Sequence, residues 1–227
     1  MYKVLEVDHR FRAPFGAIVC GPTMSGKTVF VSNLIQHRDK MIDKVTPRVV
    51  YCYGQWQEGF EVMQRKIGDS LEFVKGIDEV FSSESFFDPK VHTLLILDDL
   101  AQELTNHPQA SKLFTQGIHH KNVSVVLIMQ NLYKQGKSMR DIHLNCQYLI
   151  LFRNCRDVNQ IKTLSRQMGL SHLPSAYEKV TAEAFQPLIV DMRPGTPDYL
   201  RVRSHVLPQD YTRVYLKSST SLPCRKA

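Results

Sequence analysis

The chain has 227 residues, 43% of them apolar, and a formal net charge of +7. That is enough for one large domain with a sizeable core, and no apolar run is long enough to cross a bilayer. The opening segment, MYKVLEVDHRFRAPF, is too polar for a secretory signal. Five cysteines (Cys20, Cys52, Cys146, Cys155 and Cys224) include no CxxC pair and read as reduced, buried, small apolar residues of an intracellular, non-secreted protein. The charge is uneven. Residues 1–113 carry 13 Lys+Arg against 15 Asp+Glu, a net of −2, and residues 114–227 carry 16 against 7, a net of +9. A basic half fits a polyanionic partner such as nucleic acid, or an ordinary soluble basic surface.

The elements follow in chain order. FGAIVC (15–20) is a buried strand, and residues 27–41 form a helix with Val29, Phe30, Leu34 and Ile35 on one face. PRVVYCYG (47–54) is a second strand, and a short one lies at 71–74. HTLLILDDL (92–100) is a strand ending in two acids. PQASKLFTQGIHH (108–120) is helical, VSVVLIMQN (123–131) is a strand with a polar end, and 131–141 is a basic loop. CQYLILFRN (146–154) is a further strand. The next helix has Asp157 as its N-cap, an apolar stripe of Val158, Ile161, Leu164 and Met168, and a closing Gly169. Residues 187–206 read as strand, Pro/Gly turn and strand. Apolar, weakly alternating strands separated by helices predict a mostly parallel sheet covered on both faces, with a C-terminal hairpin. The expected organisation is one domain over 1–227, with a core at about 11–170 and a β-rich extension at about 185–217.

Between the first strand and the first helix stands Gly21-Pro22-Thr23-Met24-Ser25-Gly26-Lys27-Thr28, in the strand–loop–helix setting that a phosphate-binding loop requires. Its glycines let backbone approach phosphate oxygens, and its N–H groups and the helix end cradle the β-phosphate. Lys27 reaches the β- and γ-phosphates and Thr28 holds Mg²⁺. Adjacent carboxylates at the end of a buried strand are costly unless a cation or a reaction needs them. Asp98 is therefore the expected Mg²⁺ partner, and Asp99 orients or deprotonates the attacking water. If the 123–131 strand lies beside the Asp98 strand, Gln130 faces the γ-phosphate and senses it. ATP and Mg²⁺ are the implied ligands.

The guanine-reading Asn-Lys-x-Asp and an LSGGQ-like signature are both absent. The Lys27-to-Asp98 separation leaves room for two intervening strands, as in additional-strand, RecA-like P-loop NTPases. Two rivals stay open. A nucleotide or nucleoside kinase could use Arg153 and Arg156 as its lid. A regulatory NTP-binding protein would hydrolyse slowly and act through a partner. Basic residues of the 131–141 loop (Lys134, Lys137 and Arg140) are candidates for sequence-independent DNA backbone contact, and Tyr133 either stacks or packs.

The blocks GPTMSGKT, LLILDDL, HHKNVSVVLIMQN, RDIHLNCQYLILFRNCRDVNQI and PLIVDMRPGTPDYLRVRSHV appear in an order that resembles A32-like genome-packaging ATPases of the FtsK/HerA superfamily, as found in adintoviruses and Maverick/Polinton elements. The resemblance covers roughly residues 11–217. It implies a homo-oligomeric ring around double-stranded DNA, moving a viral or element genome into a preformed capsid at a viral assembly site or in the host nucleus, with capsid or portal-vertex proteins as partners. It also implies a basic residue given in trans by a neighbour, just before the sensor strand. His119, His120 and Lys121 occupy that place where Arg is usual, which leaves Lys121, Arg140, Arg153 and Arg156 as candidates.

Overall fold

The computed structural model describes residues 8–133 and 136–217, with the side chains of residues 106, 108 and 137 outside the description. The predicted candidates Lys134 and the side chain of Lys137, and Cys224, fall outside it as well. The elements are β1 (Gly16–Cys20), α1 (Lys27–Gln36), α2 (Arg38–Met41), β2 (Arg48–Tyr53), α3 (Gly59–Ile67), β3 (Leu71–Lys75), α4 (Asp78–Ser82) and β4 (Thr93–Asp98). There follow α5 (Ala101–Asn106), α6 (Pro108–Lys112), a π-turn (Leu113–Gly117), α7 (Ile118–His120), β5 (Val123–Met129), α8 (Lys137–Asn145) and β6 (Tyr148–Leu151). The chain closes with α9 (Asn159–Met168), α10 (Leu173–Thr181), β7 (Leu188–Asp191), β8 (Val202–Ser204) and β9 (Arg213–Val214).

The nine strands among the described residues form one sheet in the order β3-β2-β4-β5-β1-β6-β7-β8-β9. The strands from β3 to β6 in that order run parallel, and β7, β8 and β9 are added antiparallel. This is the α/β fold read from the sequence, hairpin included. A parallel sheet must be covered on both faces, because every crossover lays a helix on one of them. Strand residues therefore divide by parity. Ala17, Val19, Leu94, Ile96, Val126 and Ile128 pack under α1 and α3, against Phe30, Leu34 and Phe60. Ile18, Cys20, Leu95, Leu97, Val125 and Leu127 face the helices α4 to α10. Both faces of β1, β4 and β5 are buried along their whole length, and each such Leu or Ile stabilises the fold by about 1.5–3 kcal/mol.

Several local expectations are corrected. The helix expected over 27–41 breaks at His37, and the Arg38 guanidinium ties the break together by donating to the carbonyls of Ile35 and Thr46. Val29 is 65% exposed, so it leaves the buried face assigned to it. Residues 137–145, expected in part as loop, form α8, because Met139 and Ile142 are spaced to bury one helical face. Asp157 does not cap α9: Val158 is the N-cap residue without a side-chain bond, and the Asp157 carboxylate accepts from the Gln160 amide at 2.8 Å. Gly169 does close that helix, in the left-handed conformation. Tyr133 packs, its ring against the core and its hydroxyl donating to Gln167 at 3.2 Å. Cys20, Cys52 and Cys146 are free and buried, whereas Cys155 is free and exposed on the loop after β6.

Candidate active site

Parallel strands deliver their C-terminal ends, and the loops that follow, to one edge of the sheet. β5 lies between β1 and β4 and pairs with both. The loop after β1, the acids at the end of β4 and Gln130 just beyond β5 therefore meet at that edge. The two strands that the Lys27-to-Asp98 separation left room for are β2 and β3, and the strand inserted between β1 and β4 is β5, which follows Asp98 in the chain.

The loop from Gly21 to Gly26 is tightly folded. A Cβ on Gly21 would lie 2.6 Å from the Phe152 Cβ and 2.8 Å from the Ser25 Oγ, so only glycine fits there. Gly26 has φ +99° and serves as N-cap of α1 without a side-chain cap, and the first turn holds no acid. The first amides of α1 thus keep their positive end free of side-chain partners. The Ser25 Oγ is buried with no hydrogen-bond partner, a donor that suits an anion. The Lys27 ammonium donates to the Pro22 carbonyl at 2.7 Å. Burial pulls Lys27 below the usual lysine value, against the opposing charges of Asp98 and Asp99.

Asp98 ends β4 almost completely buried. Its Oδ2 accepts from the Tyr51 hydroxyl at 2.7 Å. Burial pushes its carboxyl above the ordinary carboxylate value, and the neighbouring Asp99 adds to this against the Tyr51 hydrogen bond and the charge of Lys27. Asp99 is exposed, with φ +58°, a left-handed turn that Asp tolerates better than bulkier residues. A cleft of about 600 Å³ gathers Lys27, Thr28, Asp98, Asp99 and Gln130. A second cleft, of about 760 Å³, opens on the other side of Met24 and Ser25 and is lined by Arg153, Arg156 and Glu183. Gln130 and Phe185 border both.

The predicted trans candidates are spread out. Arg153 and Arg156 line a cleft beside the phosphate loop of their own chain. Lys121 precedes β5, at the opposite edge of the sheet, with its ammonium over the Phe87 ring at 5.8 Å. His119 and His120 beside it are exposed, as is Arg140 on α8. Three features escaped the sequence reading. Tyr51 holds Asp98, Phe185 rests against Gly26, and Gln160 joins the end of β5 to the loop after β6 by bonds to Asn131 and Asp157, each 2.8 Å.

The sequence matches the family described as Poxvirus A32 protein over residues 5–176. The chain belongs to this family. No curated protein matches it in sequence. Among solved structures, this A32-family chain is similar to the genome packaging NTPase B204 from Sulfolobus turreted icosahedral virus 2, solved in complex with ATP-gammaS, at TM-score 0.54 and 15% identity over 88% of this chain and 98% of that one. It is also similar to the cytoplasmic domain of the type VII secretion ATPase EccC from Thermomonospora curvata, at TM-score 0.55 and 15% identity over 83% of this chain and 25% of that one. The flagellar accessory protein FlaH from Methanocaldococcus jannaschii matches at TM-score 0.50 and 12% identity, over 90% of each chain. At such identities the likeness establishes the fold. By family and fold the chain is a P-loop ATPase. No helix among the described residues is long and apolar enough to cross a membrane.

Proposed function

We propose that this A32-family ATPase is a viral genome-packaging ATPase that uses Mg-ATP to translocate double-stranded DNA of any sequence into a capsid. The observation that carries the reading is the single cleft in which Lys27, Thr28, Asp98, Asp99 and Gln130 converge. The purpose of the hydrolysis rests on the family and on a neighbour of like fold that is a packaging NTPase.

In this reading Lys27 leaves the Pro22 carbonyl for the β- and γ-phosphates. The loop amides and the Ser25 hydroxyl hold the β-phosphate, Asp99 orients the attacking water, and Gln130 reports the γ-phosphate. Thr28 and Asp98 suit Mg²⁺. One carboxylate oxygen of Asp98 is already taken by Tyr51, and among the described residues no group of three His, Cys, Asp or Glu could hold a metal alone. That donor set fits a cation which keeps waters and shares the substrate's phosphates. Mg²⁺ neutralises charge developing on those phosphates when it is bound.

The chain works as a homo-oligomeric ring. Lys121, far from its own loop, is the residue to serve a neighbour's nucleotide, and Arg140 is the alternative. Arg153 and Arg156 serve their own chain's nucleotide. DNA contacts fall to Lys134, Lys137 and Arg140, and the assembly docks on capsid or portal-vertex proteins at the assembly site or in the host nucleus. The arginine-lined second cleft favours one rival reading, a nucleotide kinase with Arg153 and Arg156 as its lid. ATP hydrolysis measured with and without linear double-stranded DNA, beside a Lys27→Ala control, separates the two. Stimulation by DNA of any sequence, weakened by salt and lost in the control, is expected. Hydrolysis indifferent to DNA overturns the translocase.

A further inference from the structure

Three large apolar side chains stand exposed around the phosphate loop: Met24 (90%), Val29 (65%) and Phe185 (70%). Scattered exposed apolar residues need no explanation. They come from two stretches of chain, Met24 and Val29 from the loop and the start of α1 and Phe185 from far along the sequence, and all three line one cleft, the cleft of Lys27 and Asp98. Phe185 is the most unusual of them. It is the one aromatic ring, and its φ of +62°, like the +63° of Met24, is an outlier for a bulky residue and a local cost in free energy. That backbone lays the side chain on the loop, and a Cβ added to Gly26 would lie 3.2 Å from both the Cβ and the Cδ1 of Phe185. The segment leading into it is anchored, and just after it the Gln186 amide donates back to the Glu183 carbonyl at 3.4 Å. The Thr181 hydroxyl donates to the Tyr177 carbonyl at 2.8 Å, the Glu183 amide donates to the Val180 carbonyl at 3.2 Å, and the Glu183 carboxylate bonds His205 at 3.2 Å. The aromatic ring is thus held in place while most of its surface stays open, at the junction of the two clefts.

We infer that Phe185 is the stacking platform for the base of the nucleotide whose phosphates the loop holds, with Val29 and Met24 as the apolar rim. The inference rests on the nucleotide reading of the cleft. A nucleoside triphosphate has one strongly charged end and one flat apolar end. The base lies an α-phosphate and a ribose beyond the β-phosphate that the loop amides hold, and a flat apolar surface within that reach suits it. The open ring beside Gly26 is such a surface, and stacking needs only the π-face that every base presents.

The test compares wild type with Phe185→Ala, Phe185→Leu and Phe185→Tyr by calorimetric titration of ATP and, separately, of inorganic tripolyphosphate, which has the phosphates but no base. Melting curves confirm that each variant is folded. Removing the ring, in the Ala and Leu variants, is expected to weaken ATP about tenfold or more, with the Tyr variant within about twofold of wild type. Tripolyphosphate affinity stays the same in all four proteins. An equal loss for both ligands reduces Phe185 to a prop for Gly26 and overturns the inference, as does ATP affinity that ignores all three substitutions. A folded wild-type protein that binds neither ligand overturns the nucleotide reading itself.

Discussion

The two edges of the sheet each bury an aspartate at the end of an apolar strand, and the two aspartates are treated in opposite ways. At the loop edge, Asp98 has one neutral donor, Tyr51, and burial drives its carboxyl upward. At the rear edge lies Asp191, fully buried and paired in register with Tyr148 at the start of β6. Burial pushes Asp191 upward as well. The Arg193 hydrogen bond, the Arg203 charge and the Thr196 hydroxyl overcome it and hold the carboxyl below the ordinary value. Arg193 meets it at 2.7 Å, Thr196 at 2.8 Å and Arg203 at 3.3 Å. One edge is neutralised from within. The other keeps a buried carboxylate short of positive charge, which is the condition for taking up a cation from outside.

Replacing each aspartate by its neutral isostere separates the edges most sharply. Asp191→Asn leaves Arg203 buried without its counter-charge, and two nitrogens of Arg203, Nε and Nη2, already lack partners. The fold should lose about 3–5 kcal/mol, read from urea unfolding. Asp98→Asn removes a charge that burial disfavours, so its melting temperature should equal or exceed that of wild type while hydrolysis falls about a hundredfold or more. If Asp98→Asn unfolds and Asp191→Asn does not, the contrast between the edges is wrong.

Tyr51→Phe sharpens the comparison from the loop edge alone. It keeps the ring, which is packed against Phe60 and Phe73, and deletes only the hydroxyl that fixes the Asp98 carboxylate. Outer-shell hydrogen bonds of this kind are worth on the order of tenfold in metal affinity. The Mg²⁺ concentration for half-maximal hydrolysis should rise by that factor with little change in melting temperature. An unchanged Mg²⁺ requirement removes Tyr51 from the positioning of Asp98.

In the sequence the two aspartates look alike. LLILD and PLIVD are both apolar runs closing on an acid, and locally only the second acid, Asp99, after the first run separates them. The difference is strand direction: β4 runs with its neighbours and β7 against, so the same pattern ends at opposite edges. The Gly21–Thr28 loop was legible because its residues are contiguous, and the strand and helix around it were legible from their apolar spacing. Gln130 could be placed only conditionally, until β5 was seen between β1 and β4. Tyr51 and Phe185 were not legible at all. Tyr51 reaches Asp98 across 47 residues of sequence, and Phe185 comes to Gly26 from the far end of the chain through a backbone conformation that no propensity favours. The helices α3 and α8 were legible in principle, since Phe60 with Met63 and Met139 with Ile142 have helical spacing. In α8 the basic residues around Gly136 drew the reading toward a loop.

The smallest effect should come from His92, a rear-edge group whose satisfaction depends on pH. The Thr46 hydroxyl donates to the Lys44 carbonyl at 2.9 Å, so toward His92 Nδ1, 2.8 Å away, it acts as acceptor. His92 Nε2 is then left to accept from the Ser124 hydroxyl at 2.9 Å. The network thus selects the neutral imidazole. Burial, reinforced by the Lys44 charge, lowers the His92 pKa from 6.5 to about 4. A folded value below the unfolded one means that the unfolded chain binds the extra proton between them. Stability is therefore complete above the unfolded value and declines as pH falls from 6.5 toward 4. The decline should reach about 1.4 kcal/mol one unit below the unfolded value. Asp191 gives way only at still lower pH, as protons reach its depressed carboxyl. Urea midpoints of wild type and His92→Gln across this range should diverge in slope, wild type falling and the variant nearly flat. Parallel curves would mean that His92 carries its proton in the folded protein too, and that the rear edge is not neutralised from within at that point.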